Sequence, residues 1–353
     1  MVKPFLAVLI SSLVFAVSAP SAMAAPAKSP AKSQSKKPLV KRVHPTLAKK
    51  SARRQRLVLA AAEPQVMRPR ARAVSLSGGR TFGDMAGLNL TRDPLDLSSN
   101  VALVMDQSNS QVLFEKNSNI ALPIASITKL MTGLVVVEAR QDMDEVLEVT
   151  DEDVDKEKFT TSRLRVGARM SRANMLHIAL MSSENRAASA LGRHYPGGLP
   201  AFVTAMNAKA RSLGMSDTRY VDSNGLSSRN IASARDLAKL VVAAHQHPIL
   251  RQYSTDTHYE VSTGRQWLQY ASTNPLVKNS AWDIGLQKTG FINEAGRCLV
   301  MQARIEGRDV VMVFLDSKGK DSRLADAGRI RRWLEALKPQ ALTQTFRTYG
   351  RQT

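Results

Sequence analysis

Apolar residues follow two different rhythms along this chain, and the change between them constrains the fold more than any other feature. Val101 to Met105 and Val112 to Glu115 are short, apolar, β-branched-rich runs on either side of Asp106-Gln107-Ser108-Asn109-Ser110, a hairpin pattern. From Ile127 the spacing turns helical: Ile127, Leu130, Met131, Leu134 and Val135 recur at three and four residues. That run is apolar nearly all round, which predicts a buried helix. Further helices are predicted over 172–181, with Ser171 as cap, over 186–194 and over 201–213. Another is predicted over 237–244, where Ser233 and Asp236 form a capping-box pattern. After Lys288 the strand rhythm returns. Residues 298–305 and 309–315, around Glu306-Gly307-Arg308, predict a second hairpin, and 324–337 a closing helix. Strands at both ends with helices between them predict an α+β domain carrying an inserted helical lobe.

That domain is expected over 74–338, leaving 339–353 as a C-terminal tail. The formal net charge of +20 does not belong to it. Residues 26–72 hold fourteen Lys and Arg against the single acid Glu63, a net of +13. This segment, taken as a basic linker over 25–73, is rich in Ala, Pro, Lys, Ser and Arg and poor in aromatics. It cannot bury enough apolar surface to offset the entropy of ordering. Before it, Lys3, the apolar run Phe5 to Val17 and Ala22-Met23-Ala24 make a signal-peptide pattern over 1–24, cleaved near Ala24–Ala25. The apolar run is too short for a membrane span. Export to the periplasm argues against a nucleic-acid role for the basic linker and favours a solvated spacer with loose attraction to anionic envelope polymers. The one cysteine, Cys298, lies in an apolar strand-like run and is read as a small core residue.

Three short motifs fall at element edges. Ser126-Ile127-Thr128-Lys129 opens the buried helix, Ser183-Glu184-Asn185 lies between helices, and Lys288-Thr289-Gly290 precedes the second hairpin. Each is weak alone. The first spacing recurs at Ser29, Ser33 and Ser317, and the second at Ser98, Ser228 and Ser272. Ser126 taken alone is a common N-cap, and Lys129 a snorkelling surface lysine. Context changes that weighing. Ser126 sits where backbone N–H groups are unpartnered, and Lys129 lies one turn on, on the same face. A lysine buried there is costly unless it is paired or neutral. The ordered trio supplies a serine nucleophile, an amine base, a second hydroxyl with an amide, and a cation beside a hydroxyl.

Ile124 to Thr132, Leu180 to Ala188 and Lys288 to Phe291 resemble the peptidase S11 family of low-molecular-mass penicillin-binding proteins. His194-Tyr195-Pro196-Gly197-Gly198 and Ala205 to Ala210 are similar to its D-alanyl-D-alanine endopeptidase branch, the penicillin-binding protein 7 type. The likeness spans roughly 95–335. It implies a serine β-lactamase/DD-peptidase-like fold, with a five-stranded antiparallel sheet flanked by helices and an all-helical lobe. It implies a periplasmic hydrolase acting on peptidoglycan stem peptides and cross-links, with β-lactam antibiotics as covalent inhibitors. Ser126, Lys129 and Ser183 are then catalytic, and Asn185, Lys288, Thr289, Gly290 and Phe291 bind substrate. An oxyanion would lie between the N–H groups of Ser126 and Phe291. Lys129 acts as a base only when neutral, and burial together with the charge of Lys288 is expected to lower its pKa. Glu184 stands where the general set of these motifs has Asp, and one departure from the family is visible. Ile292 stands where relatives commonly place Thr, which leaves the carboxylate clamp to Lys288 and Thr289.

No metal or cofactor is implied. His245 and His247 are two apart, so they do not share a helix face. No G-x-S-x-G elbow is present. A β-lactamase would need a deacylating glutamate between the second and third motifs, where only Glu184 and Glu260 lie. A non-catalytic peptidoglycan-binding protein would have lost a nucleophile, base or clamp residue, and none is lost.

Overall fold

The computed structural model describes residues 80–337. The signal-peptide, linker and tail boundaries therefore lie outside the described residues. A short helix, α1 (Phe82–Met85), leads into the hairpin of β1 (Ser99–Asp106) and β2 (Val112–Lys116). A two-residue strand, β3 (Leu122–Pro123), and a 3-10 turn (Ala125–Ile127) precede the buried helix α2 (Thr128–Glu138). The lobe continues through β4 (Val146–Glu148), β5 (Arg169–Ser171), α3 (Arg172–Met181), α4 (Asn185–Arg193), α5 (Gly198–Ser212), β6 (Ile231–Ala232), α6 (Ala234–His245) and α7 (Pro248–Thr255). The hairpin of β7 (His258–Ser262) and β8 (Trp267–Ala271) follows. The strands β9 (Asp283–Ile292), β10 (Gly296–Ile305) and β11 (Arg308–Ser317) and the helix α8 (Ser322–Ala336) close the domain.

The main sheet is antiparallel, in the order β2-β1-β11-β10-β9, so the first hairpin pairs with the last strand of the second. Its inner strands are apolar on both faces for a reason visible in β1. Val101 and Leu103 point into the core shared with the helical lobe, whereas Ala102 and Val104 point into a second core against Ala327, Ile330 and Leu334 of α8. Successive strand residues face opposite ways, so a sheet covered on both sides needs continuous apolar runs. Cys298 belongs to the lobe-facing core, where burial pushes its thiol up to about 12. The α+β arrangement expected from the rhythms, and the five-stranded antiparallel sheet implied by the resemblance, are both found.

Helix α2 is the axis of the lobe. Every residue from Thr128 to Val136 is buried, which is why its apolar pattern runs all round. The expectation that Ser126 opens this helix needs correction by two residues. Ser126 lies inside the 3-10 turn, and Ala125 before it has a positive φ of 49°. No side chain caps α2; Thr128 Oγ1 donates to Ala125 O at 2.8 Å, and the Ser126 hydroxyl meets Lys129 Nζ instead. The caps at Ser171 and Ser233 form as expected, accepting from Asn174 N and Asp236 N. The ribbons β3–β6, β4–β5 and β7–β8 were not anticipated. Strands of two to five residues are too short for alternation to stand out.

Candidate active site

Two backbone strains and two close approaches build the site. Ala125 before the first motif and Ser183 within the second (φ 63°) both occupy the left-handed region, a conformation that costs an L-residue roughly 1–2 kcal/mol. Surrounding structure must hold such residues in place. At Ala125 it does so through two glycines. A Cβ on Gly290 would lie 2.9 Å from Ile124 O and 3.2 Å from Ser126 N, so only glycine lets the edge strand β9 lie against the Ser126 turn. A Cβ on Gly225 would lie 2.1 Å from Ala125 O, and Gly225 also has a φ of 81°. The Ser126 turn is thus clasped between β9 and the loop at 222–225.

Lys129 is fully buried. Its Nζ sits 2.8 Å from Ser126 Oγ, 2.7 Å from Asn185 Oδ1 and 2.5 Å from Asn224 O. These three partners fit both charge states. An ammonium can donate to all three. A neutral amine donates to the two fixed acceptors, Asn185 Oδ1 and Asn224 O, and its lone pair is then left facing Ser126 Oγ. The orientation of Asn185 is supported by its other end, whose Nδ2 donates to Thr160 Oγ1 at 3.1 Å.

Burial lowers the Lys129 pKa to about 7, against the opposing pull of the Asp222 and Glu184 carboxylates. The like-charge effect of Lys288 expected on Lys129 falls on Lys288 instead. That lysine is also fully buried, and burial first, then Lys129, then Arg323 hold it well below its ordinary value. Lys129 has two carboxylates to offset the repulsion and Lys288 has none, so Lys288 gives way. Its Nζ donates to Ser183 Oγ at 2.9 Å and to Thr289 O at 2.9 Å. Arg323 is itself buried, with two of its guanidinium nitrogens lacking a protein partner.

Glu184 gives structure to the second motif. It caps α4 by accepting from Arg186 N and takes the Ser162 hydroxyl at 2.8 Å. Asp155 folds the loop leading to that hydroxyl by accepting the N–H groups of Glu157, Lys158 and Thr160. Lys158 reaches across to Glu294, in the turn between β9 and β10, at 2.5 Å. Phe291 is half exposed on β9, with the Arg297 guanidinium stacked 4.6 Å over its ring. Thr289 is buried, and its hydroxyl lies 2.6 Å from that of Thr273. Ile292 is buried in the core.

All eight residues expected at the site lie on the three segments that meet here. The chain reading missed Asn224, Asp222 and Gly225, the loop residues Thr160 and Ser162, and Thr273. Asp222-Ser223-Asn224-Gly225 carried a turn signal, but nothing local says that it folds against a lysine 95 positions earlier. Ser272-Thr273-Asn274 had been set aside as an accidental copy of the second motif. Glu260 is exposed on β7. Among the described residues, no group of three or more His, Cys, Asp or Glu could hold a metal ion.

A serine backed by a buried amine, where a helical lobe meets the edge of an antiparallel sheet, defines the fold of the penicillin-binding DD-peptidases. The Streptomyces K15 DD-transpeptidase superposes with a TM-score of 0.64, over 70% of this chain and 100% of that one, at 24% identity, which is a likeness of fold alone. The chain belongs to the peptidase S11 family, described as D-alanyl-D-alanine carboxypeptidase, whose sequence profile matches residues 89–319. It is 47% identical over 266 residues to a D-alanyl-D-alanine endopeptidase of Pseudomonas aeruginosa, covering 75% of this chain and 85% of that protein. A D-alanyl-D-alanine endopeptidase of Escherichia coli is 44% identical over 260 residues, covering 73% and 84%.

Proposed function

We propose that this protein hydrolyses D-alanyl peptide bonds in peptidoglycan through an acyl-enzyme on Ser126, with cross-links as its preferred substrate. The observation that carries the chemistry is the buried Lys129 amine 2.8 Å from Ser126 Oγ. A serine hydroxyl is a poor nucleophile until a base takes its proton. An unshifted lysine is roughly one part in two thousand neutral at pH 7, whereas one with a pKa of about 7 is roughly half neutral. Burial thus supplies about a thousandfold more of the active form.

In the acylation step the Ser126 proton passes to Lys129 Nζ as Oγ bonds the D-alanyl carbonyl carbon. Negative charge develops on the carbonyl oxygen, and the N–H groups of Ser126 and Phe291 are the donors assigned to it. The closeness of Gly290 to Ser126 N supports that assignment. Collapse breaks the C–N bond. The leaving amine takes its proton from Ser183 Oγ, which is linked to Lys288 Nζ, and the proton held on Lys129 is relayed to Ser183, so that Lys129 is neutral again before the next step. Asn185 holds Lys129 in register. Lys288 and Thr289 grip the carboxylate next to the departing amine. Water then attacks the ester, with Lys129 again as the base, and Ser126 is released.

Preference for cross-links is supported by the names of the two relatives, both endopeptidases. Export to the periplasm rests on the pattern over 1–24, and loose contact of the linker with anionic envelope polymers on its charge. Two experiments test the reading. Incubation with penicillin should add one acyl mass at Ser126, and labelling that survives in Ser126→Ala would overturn the assignment. Competition between a cross-linked muropeptide dimer and a monomeric pentapeptide should favour the dimer. Faster release of D-alanine from the monomer would make this a carboxypeptidase.

A further inference from the structure

We propose that Thr273 is a positioning residue for the substrate carboxylate, acting through the hydroxyl of Thr289. The inference rests on the reading of Thr289 as part of the carboxylate clamp and adds to it a residue outside the three motifs. The two hydroxyl oxygens are 2.6 Å apart, a short hydrogen bond in which either can donate. Two hydroxyls carry two protons. Thr273 Oγ1 also lies 3.5 Å from Met181 O, a far longer contact than the 2.6 Å to Thr289, so its proton bridges the pair and leaves the Thr289 proton to point into the cleft. A carboxylate is an acceptor only, so the pair presents to it what a lone threonine presents less reliably: a hydroxyl proton with its rotor fixed. A buried Thr289 without its partner could turn that proton towards backbone, and the directed donor would be lost.

Thr273 is held where this requires. Its backbone N–H donates to Met181 O at 3.2 Å, at the end of α3, two residues before Ser183. Its neighbour Ser272 is tied through its N–H to Thr257 O. On the other side the buried Asn274 caps a 3-10 turn over Pro275–Lys278, accepting from Leu276 N. The segment is thus fixed at three points while the Thr273 side chain stays exposed at the mouth of the site. Ile292 supplies no hydroxyl and is buried in the core, so any second hydroxyl for the clamp must come from another segment. A simple loop tether would need only the backbone bonds already present. The hydroxyl contact between two segments sixteen residues apart is additional to them.

The test compares a cross-linked muropeptide dimer with the same dimer amidated at the carboxylate beside the scissile bond. The quantity read is the ratio of kcat/KM for the two substrates, which does not change when part of an enzyme preparation is unfolded. In Thr273→Val and Thr273→Ala the ratio should fall roughly tenfold, the scale of one hydrogen bond to a charged group, mainly through KM. Thr273→Ser should restore it. Thr273→Val/Thr289→Val should be no worse than Thr289→Val alone. An unchanged ratio in both the Val and Ala variants, or additive losses in the double variant, would overturn the proposal. Failure of the functional reading shows separately, as a wild-type enzyme that turns over neither dimer and takes up no penicillin.

Discussion

Each lysine in this site is governed by what surrounds it, and the two surroundings differ. Lys129 is buried with two carboxylates near it and settles at about 7, whereas Lys288 is buried without one and is held well below its ordinary value. In the proposed mechanism the neutral form of Lys129 is the base. Ser126 acylation by penicillin should therefore rise about tenfold per pH unit below pH 7 and level off above it. A stopped-flow pH profile checks this. Glu184 raises the Lys129 pKa, so Glu184→Gln should move the midpoint to lower pH and keep an oxygen for the α4 cap; an unmoved midpoint would remove Glu184 from the electrostatics. Lys129→Arg stays protonated and should lower acylation by about 10²–10⁴-fold, the range for a lost general base, with its fold checked by circular dichroism. Gly290→Ala must push the Ser126 turn away from β9. A destabilisation of about 1–3 kcal/mol is expected from such overpacking, together with slower acylation, read by denaturant melts and labelling rates.

Among the elements, α3 has the clearest division between support and chemistry. It starts at the Ser171 cap and ends at Met181, just before the second motif. Ser171→Ala should cost about 1 kcal/mol and lower Tm by about 2–4 °C in a domain of this size. The acylation rate should hardly change, because α3 stays anchored at Met181 by Thr273 N. A large loss of acylation would mean that strain at Ser183 depends on the whole helix. Helix caps of this kind were legible because Ser-x-x-Asp and Ser before an apolar period act within one turn. The start of α2 lies two residues beyond Ser126 for the converse reason. Apolar spacing gives the buried face of Ile127 to Val135 but not the positive φ at Ala125, which is imposed by Gly225 and Gly290 from elsewhere.

At the scale of the whole molecule, charge and chemistry are separated along the chain. Residues 26–72 carry a net +13 and no motif. A chain beginning near Val74 should hydrolyse soluble muropeptides as fast as the mature protein. It should bind intact sacculi more weakly, with a difference that fades with salt, since exposed charges are screened over roughly 8 Å at physiological ionic strength. A large loss on soluble substrate would place part of the basic segment in the site.

The sequence alone determined the alternation of strands and helices and the three motifs that contain Ser126, Lys129, Ser183, Asn185, Lys288 and Thr289. Those follow from residue type and from spacings of one helical turn or one strand period, which are local. Tertiary structure decided the partners. Asn224 reaches Lys129 across 95 residues, Lys288 reaches Ser183 across 105, and Lys158 reaches Glu294 across 136. It also decided how burial and neighbouring charges shift each lysine. Desolvation depends on every segment that covers a group, and the sign of its electrostatic surroundings on carboxylates such as Asp222 that only chain folding brings near.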